Sequence, residues 1–325
     1  MSWIDLHCDT LELFADREHP GSLYQNDAGV DFLKMKQGGV TAQFFAMWLP
    51  EIEFWLGRGL WPMSDMDYVE LVSGHFYREL AAHKDLIAFA GNGDDLAANE
   101  AAGRMSAFLT VENGRILDGD LRKIDWCYEK GVRLMTLTWN SPNCLGASHS
   151  TDAEQMSKGL TPFGREAVAH MNEVGIAVDV SHLSDGGFWD VVDIVKGPFI
   201  ASHSNARALT PNSRNLTDEM IRVLAERGGI IGLNFAPQFL NHDMAMDVSR
   251  IRCMCAHAAY MKQIGGAECL ALGSDLDGIV GKLEIPTSGD LPILWDALKK
   301  SGFTERELDL LSETNARRWI REVLR

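Results

Sequence analysis

The sequence predicts an α/β protein, an eight-stranded parallel (β/α)8 TIM barrel, and three observations predict it. Eight short apolar, β-rich runs recur along the 325 residues. Stretches of helical period separate most of them, as in parallel β/α units. Chelating side chains gather where the runs end, and such barrels keep their active sites at the C-terminal ends of the strands. Barrels of this size are commonly one domain, so residues 1–325 read as a single catalytic domain.

The runs cover residues 3–8, 40–47, 107–111, 132–138, 176–180, 198–202, 230–235 and 270–273. Helical period fills 66–83, 119–130, 164–174, 188–196, 217–227 and 248–264. Thr217-Asp218-Glu219 opens one helix, and Thr304 with Glu307 reads as a capping box on another. Gly131, Gly175 and Gly265 each follow a helical run and precede a strand, the place of a left-handed C-terminal cap. Residues 291–324 read as two additional C-terminal helices on the outside of the barrel. No internal repeat or low-complexity segment is evident.

The net charge of −16 repels phosphate backbones and anionic membranes, which argues against nucleic acid and membrane as partners. Cys8, Cys127, Cys144, Cys253, Cys255 and Cys269 contain no C-x-x-C pair. Their spacing fits neither a zinc ribbon nor a small disulfide scaffold, so they read as thiols in a reducing compartment. Met1–Asp5 lacks the basic and apolar regions of a signal peptide, and no apolar run reaches the length of a membrane span. A soluble, cytoplasmic protein is expected.

The segment 48–63 follows the second strand and carries Trp48, Trp55 and Trp61 with Pro50 and Pro62. That position is on the active-site rim of a barrel. It suits a substrate lid, a contact in a homodimer, or an insertion packing on its own domain.

The first strand closes on Asp5-Leu6-His7-Cys8-Asp9. Alternate residues of a strand point the same way, so His7 and Asp9 project together, half of a divalent-metal site. Later strands end at Glu112, at Asp179-Val180-Ser181-His182, at Ser202-His203-Ser204-Asn205 and at Ser274-Asp275-Leu276-Asp277. Taken singly, His182 or His203 is an ordinary core histidine and Glu112 an ordinary helix-start acid. Asp5 and Asp179 suit backbone bonds or the orientation of a histidine. Their joint placement on one rim points to metal. Imidazole and carboxylate suit zinc or a similar first-row ion. The groups outnumber the ligands of one tetrahedral site, which favours two ions sharing a bridging carboxylate.

His19, His75, His83, His149, His170, His242 and His257 fall in loops or helical runs and read as surface or packing residues; His149 alone is within reach of the rim. Arg214, in the loop after the sixth strand, suits a bidentate grip on a substrate carboxylate. Arg207 competes for that role, and a surface salt bridge is the plain alternative for either.

In order along the chain, Asp5-Leu6-His7-Cys8-Asp9, Thr110-Val111-Glu112-Asn113-Gly114, the Gly131–Thr138 stretch, Asp179–His182, Ala201–Ala206, Arg214-Asn215 and Gly273–Gly278 resemble the renal (membrane) dipeptidase family, the binuclear zinc dipeptidases of peptidase family M19. The resemblance implies an amidohydrolase-like metal-dependent barrel and two Zn2+ ions bridged by Glu112 and a hydroxide. His7 and Asp9 would bind one ion, and His182 and His203 the other. Asp275 would be the catalytic proton shuttle and Arg214 the ligand of the substrate carboxylate, with Asn215, Trp139, Asn140 and Phe239 as further substrate contacts. The substrate would be a small dipeptide, including L-Xaa-D-Xaa, cleaved by the metal-bridging hydroxide.

The sequence departs from the family at two points. Trp139 stands where many members have a histidine, and Phe239 stands where a substrate-side tyrosine is usual. The lipid anchor and secretory signal of the vertebrate enzymes do not carry over. Two alternatives remain: another amide or ester hydrolase on this barrel, and a non-catalytic peptide- or metal-binding relative. Asp9, where many barrels of the first kind have a second histidine, favours the dipeptidase branch. The intact metal set disfavours loss of catalysis.

Overall fold

Strand alternation decides which side chains fill a barrel and which face its helices. The computed structural model, which describes residues 1–243 and 246–325, shows that sorting. Its strands are β1 (Trp3–Cys8), β2 (Val40–Trp48), β3 (Ile87–Phe89), β4 (Met105–Glu112), β5 (Val132–Thr136), β6 (Ala177–Asp179), β7 (Ile200–Ala201), β8 (Ile230–Leu233), β9 (Val248–Ser249), β10 (Leu270–Leu272) and β11 (Lys282–Leu283). β1, β2, β4, β5, β6, β7, β8 and β10 pair in that order, all parallel, and β10 returns to β1 to close a (β/α)8 barrel. These are the eight expected strands. β3 pairs with the first residues of β4, before β5 joins it, and β9 pairs with β11 apart from the barrel. At two or three residues each, these extra strands are too short to show a period.

The six expected helices form at Asp65–Ala82, Arg122–Glu129, Pro162–Val174, Asp185–Ile194, Asp218–Glu226 and Ile251–Gly265. The Thr217 hydroxyl accepts the Met220 N–H, and Thr304 with Glu307 makes the capping box. Gly131 and Gly175 are left-handed as expected, but after Ile251–Gly265 the positive φ falls on Gly266, because the helix includes Gly265. No helix among the described residues is long and apolar enough to cross a membrane.

Ile4, Leu6, Phe44, Phe108, Leu134 and Ala271 share one buried cluster, the lower barrel interior. The Phe44 and Phe108 rings stack at 4.4 Å. Trp3, Cys8, Phe45 and Leu109 belong to the other cluster, between barrel and helices. Ala316, Trp319, Ile320 and Leu324 join the interior cluster. The two C-terminal helices therefore divide their work. Leu291–Lys300 lies outside, with Trp295 edge-on to Trp3 at 6.0 Å. The second, Glu305–Asp309 continued through a π turn into Asn315–Val323, closes the barrel's N-terminal mouth instead of lying outside. Its apolar stripe finds its burial on the barrel floor. Arg318 donates to the Gly228 and Glu268 carbonyls, in the connections that enter β8 and β10, and Arg317 pairs with Glu100 of the helix Gly93–Ala101 that precedes β4.

Above this apolar plug, β1 changes parity. Ile4 and Leu6 point inward, and so do His7 and Asp9. A bulge absorbs the change: Asp5 faces Gln43 and Cys8 faces Phe45, three residues against two. Gly232 and Gly273 let three strands close in under the site. A Cβ on either would lie 1.8 Å from the Ser202 carbonyl oxygen.

Trp319 is fully buried in the plug. Trp319→Ala should therefore cost roughly 3–5 kcal/mol of stability in urea unfolding. A loss below about 1 kcal/mol, the scale of a change on the protein surface, would contradict its place beneath the barrel.

Candidate metal centre

All five expected ligands and Asp275 meet above the plug, each at most 7% exposed. His7 Nε2 lies 3.3 Å from Asp9 Oδ2, 3.6 Å from Glu112 Oε2 and 3.7 Å from Asp275 Oδ1. Glu112 Oε1 lies 3.0 Å from His182 Nε2 and 3.5 Å from His203 Nε2. The His182 and His203 Nε2 atoms are 3.1 Å apart, and His203 stacks on His7 at 3.8 Å. Two triads, His7–Glu112–His203 and His7–Asp9–Asp275, have ligand atoms within 4.8 Å of one another.

The supports behind the rings set their protons. Ser202 Oγ donates to Asp179 Oδ2 at 2.5 Å, so it accepts from His203 Nδ1 at 2.7 Å. His182 Nδ1 lies 3.0 Å from Asn140 Oδ1, an acceptor. Both Nε2 atoms are therefore bare lone pairs, facing each other with a carboxylate oxygen between. Such a donor set fits a first-row cation. His7 Nδ1 has no protein partner among the described residues.

Protonation follows the crowding. Burial disfavours a charged His7, but the Asp9 and Glu112 carboxylates outweigh it and hold His7 well above its ordinary range. Burial drives Asp9 well up, aided by Glu112 and opposed by His7. Burial works to raise Glu112, but the positive charge of His7 outweighs it and holds Glu112 well below the usual range. Burial and Arg214 push His182 down to about 3; burial, His7 and Arg214 push His203 well down. Burial lifts Asp275 to about 6, against the pull of His7. Cations would take over the neutralising work that protons do in this balance.

Two matching clamps aim the site. Asp5 accepts the Ser274 N–H at 2.9 Å and its hydroxyl at 2.6 Å. Asp179 accepts the Ser202 N–H at 2.9 Å, its hydroxyl, and Thr136 Oγ1 at 2.6 Å. Each serine directly precedes a site residue, Asp275 or His203. His182 and Asp275 are left-handed, with φ of 66° and 62°, a backbone cost tolerated where the surroundings enforce it. Asn234 Nδ2 donates to Asp275 Oδ2 at 2.8 Å. Sequence reasoning missed Asn234, although a polar residue ending the seventh barrel strand was the available signal.

A cleft of about 350 Å³ opens onto the cluster, with Asp9, Glu112, His182 and Asp275 in its wall. Trp139, Asn140 and Phe239 line it as expected, and so do Trp48, Phe54 and Arg58 of the rim segment. The Trp48 ring meets Trp139 at 5.0 Å and Phe54 at 5.3 Å, while Trp55 is buried against Tyr68. Arg214 is buried, donating to the His203 carbonyl and Ser204 Oγ at 3.0 Å each, 5.5 Å from the Phe239 ring. Its Nε has no partner among the described residues, and burial pulls it only to about 10, so it stays cationic. Arg207, the competitor, is spent on Asp185 at 2.7 Å.

Expectations change at three residues. Neither Arg214 nor Asn215 lines the cleft; Asn215 Nδ2 donates to the Thr210 and Phe239 carbonyls and ties down the loop after β7. His149 is more than a packing residue: its Nε2 lies 3.0 Å from Asn140 Oδ1, one step from His182. Burial, with Arg214 and Arg207, lowers it to about 4, so the ring is neutral. His257 packs as expected, accepting the Ala206 N–H at 3.1 Å.

The family model for the membrane dipeptidases, peptidase family M19, matches residues 1–325. An uncharacterized protein in the pqqA 5' region of Klebsiella pneumoniae is 34% identical over 215 residues, 65% of this chain and 78% of its own length. An uncharacterized dipeptidase of Schizosaccharomyces pombe is 31% identical over 258 residues, 77% of this chain; the match spans 61% of that relative's length. Among solved structures, the dipeptidase AC, a family M19 metallo peptidase, is 26% identical with a TM-score of 0.88, covering 100% of this chain and 99% of that one. A metallo peptidase from Rhodobacter sphaeroides, liganded with a phosphinate mimic of the dipeptide L-Ala-D-Ala, is 25% identical with a TM-score of 0.89, covering 99% of each chain. With a family match along its full length and dipeptidase structures sharing its fold from end to end, the chain belongs to peptidase family M19, the membrane dipeptidases, and is a metal-dependent dipeptidase.

Proposed function

We propose that this dipeptidase works with two zinc ions and accepts dipeptides with either an L- or a D-residue at the C-terminal position. The observation that carries the two-ion reading is the split of Glu112: Oε2 faces His7, while Oε1 faces His182 and His203. His7 and Asp9 would hold one ion, His182 and His203 the other, and Glu112 both. Bound there, such ions would supply Lewis-acid activation of water near neutral pH and a positive field for the developing oxyanion.

The chain's own residues do the rest. Asp275 sits beside His7 and the cleft, held by Asn234, and its raised carboxyl suits taking a proton and returning it to the leaving amine. Arg214 keeps a charged guanidinium behind the Phe239 wall, one layer back from the cleft, and its charge with an unspent N–H supports a role in drawing in the substrate's terminal carboxylate. Trp48, Phe54 and Trp139 offer an apolar wall for a side chain. Acceptance of a D-residue is supported by the L-Ala-D-Ala mimic held by the Rhodobacter sphaeroides relative. The six unpaired cysteines support a cytoplasmic location.

Zinc-loaded protein, with a chelated control, should release amine from L-Xaa-L-Xaa and L-Xaa-D-Xaa dipeptides only when metal is present. No turnover on either set would turn the reading toward another amide or ester. On the same panel, Arg214→Ala should cut kcat/KM for free dipeptides by roughly 10²-fold, the loss expected of a charge-assisted bond to substrate. C-terminally amidated analogues should be little affected; an equal loss on them would remove the carboxylate role. Asp275→Asn should lower kcat by about 10²–10⁴-fold with metal content near that of the parent protein. Joint loss of metal and turnover would make Asp275 a ligand rather than a shuttle.

A further inference from the structure

Asn140 and His149 lie outside the expected ligand set yet touch it. Asn140 Oδ1 is 3.0 Å from His182 Nδ1 and 3.0 Å from His149 Nε2. An amide oxygen only accepts, so both ring nitrogens must carry protons there. For His182 this leaves Nε2 bare, toward Glu112 and His203. For His149 it leaves Nδ1 as the acceptor, and the Ser213 hydroxyl lies 3.1 Å from it. The hydrogen bonds therefore run one way, from Ser213 to His149 to Asn140, where His182 meets them. With the amide turned round, His182 would carry its proton on Nε2, aimed at His203 Nε2 3.1 Å away, and could not serve as a ligand.

The same elements hold the His182 backbone. The His149 N–H donates to the His182 carbonyl at 2.8 Å, and Thr138 Oγ1 donates to it at 3.0 Å. These bonds pin a residue whose φ of 66° is rare for a side chain with a Cβ. Ser213 is the neighbour of Arg214, so the chain of bonds also links the loop after β5 to the loop after β7.

We propose that Asn140 and His149 form a positioning relay that fixes the tautomer of His182 and couples the metal side of the site to the loop carrying Arg214. The relay rests on the metal-dependent dipeptidase reading, with His182 as a ligand. Its partners orient a ligand from behind, and loss of such a partner typically weakens a metal site about 10–100-fold.

Cobalt loading tests it, because the ion's visible absorption reports ligand geometry without reference to turnover. The parent protein should bind two Co2+ and hydrolyse dipeptides; failure there would sink the underlying reading, separately from the relay. Asn140→Ala and His149→Ala should each weaken one of the two sites about 10–100-fold and shift its absorption. Asn140→Asp, which keeps the accepting oxygen, should restore the parent affinity and spectrum. Metal-free melting of each variant, close to that of the parent, separates this from misfolding. The relay is overturned if both alanine variants keep the parent affinity and spectrum, or if Asn140→Asp fails as Asn140→Ala does.

Discussion

Three carboxylates and three imidazoles share one buried pocket, and the rest of the molecule is arranged around the cost of keeping them there. Like charges at these separations are tolerated out of water only when something positive neutralises them. Arg214 supplies one charge, from behind. The crowding also shows in the titration of the cluster: the carboxylates drive His7 up, and burial raises Asp9 and Asp275. The facing lone pairs of His182 and His203, with Glu112 divided between them and His7, are the geometry of groups waiting for cations rather than for each other.

Holding such a cluster needs rigid supports, and the barrel provides them in layers. The lowest is the apolar plug, where Trp319 and Ile320 from the last helix meet Ile4, Phe44 and Phe108. Above it, Gly232 and Gly273 let β7, β8 and β10 come together, and the Asp5–Ser274 and Asp179–Ser202 clamps fix the strand ends. At the top, the bulge in β1 turns His7 and Asp9 inward, and the left-handed backbones of His182 and Asp275 turn their side chains to the same place. The serine clamps act on the residues next to Asp275 and His203, while Asn234 and the loop residues Asn140 and His149 hold Asp275 and His182 directly.

Much of this was legible in the sequence, for physical reasons. The eight barrel strands announce themselves because buried parallel strands are continuous apolar runs. The candidate metal ligands announce themselves because chelating side chains at strand ends have few other uses in concert. Other features carry no such signal. The last helix reads as an ordinary amphipathic helix, and nothing in its period tells a barrel floor from a barrel wall. His149 lies in a loop and reaches the site only through Asn140, a contact no spacing encodes. Asn215, beside Arg214, reads as a substrate contact, but its Nδ2 holds the loop and it does not line the cleft. Asn234 was the visible omission: a polar residue at a strand end, where strand ends were already the place to look.

The division of Glu112 between two groups of ligands is the central claim, and counting metal tests it most directly. Zinc-reconstituted protein and its Glu112→Gln variant should be freed of loose ion and measured for metal per chain. The account predicts two ions in the parent, and one or none, with turnover lost, in Glu112→Gln. A parent that holds a single ion, or a Glu112→Gln variant that keeps two, would contradict the bridge and the mechanism built on it.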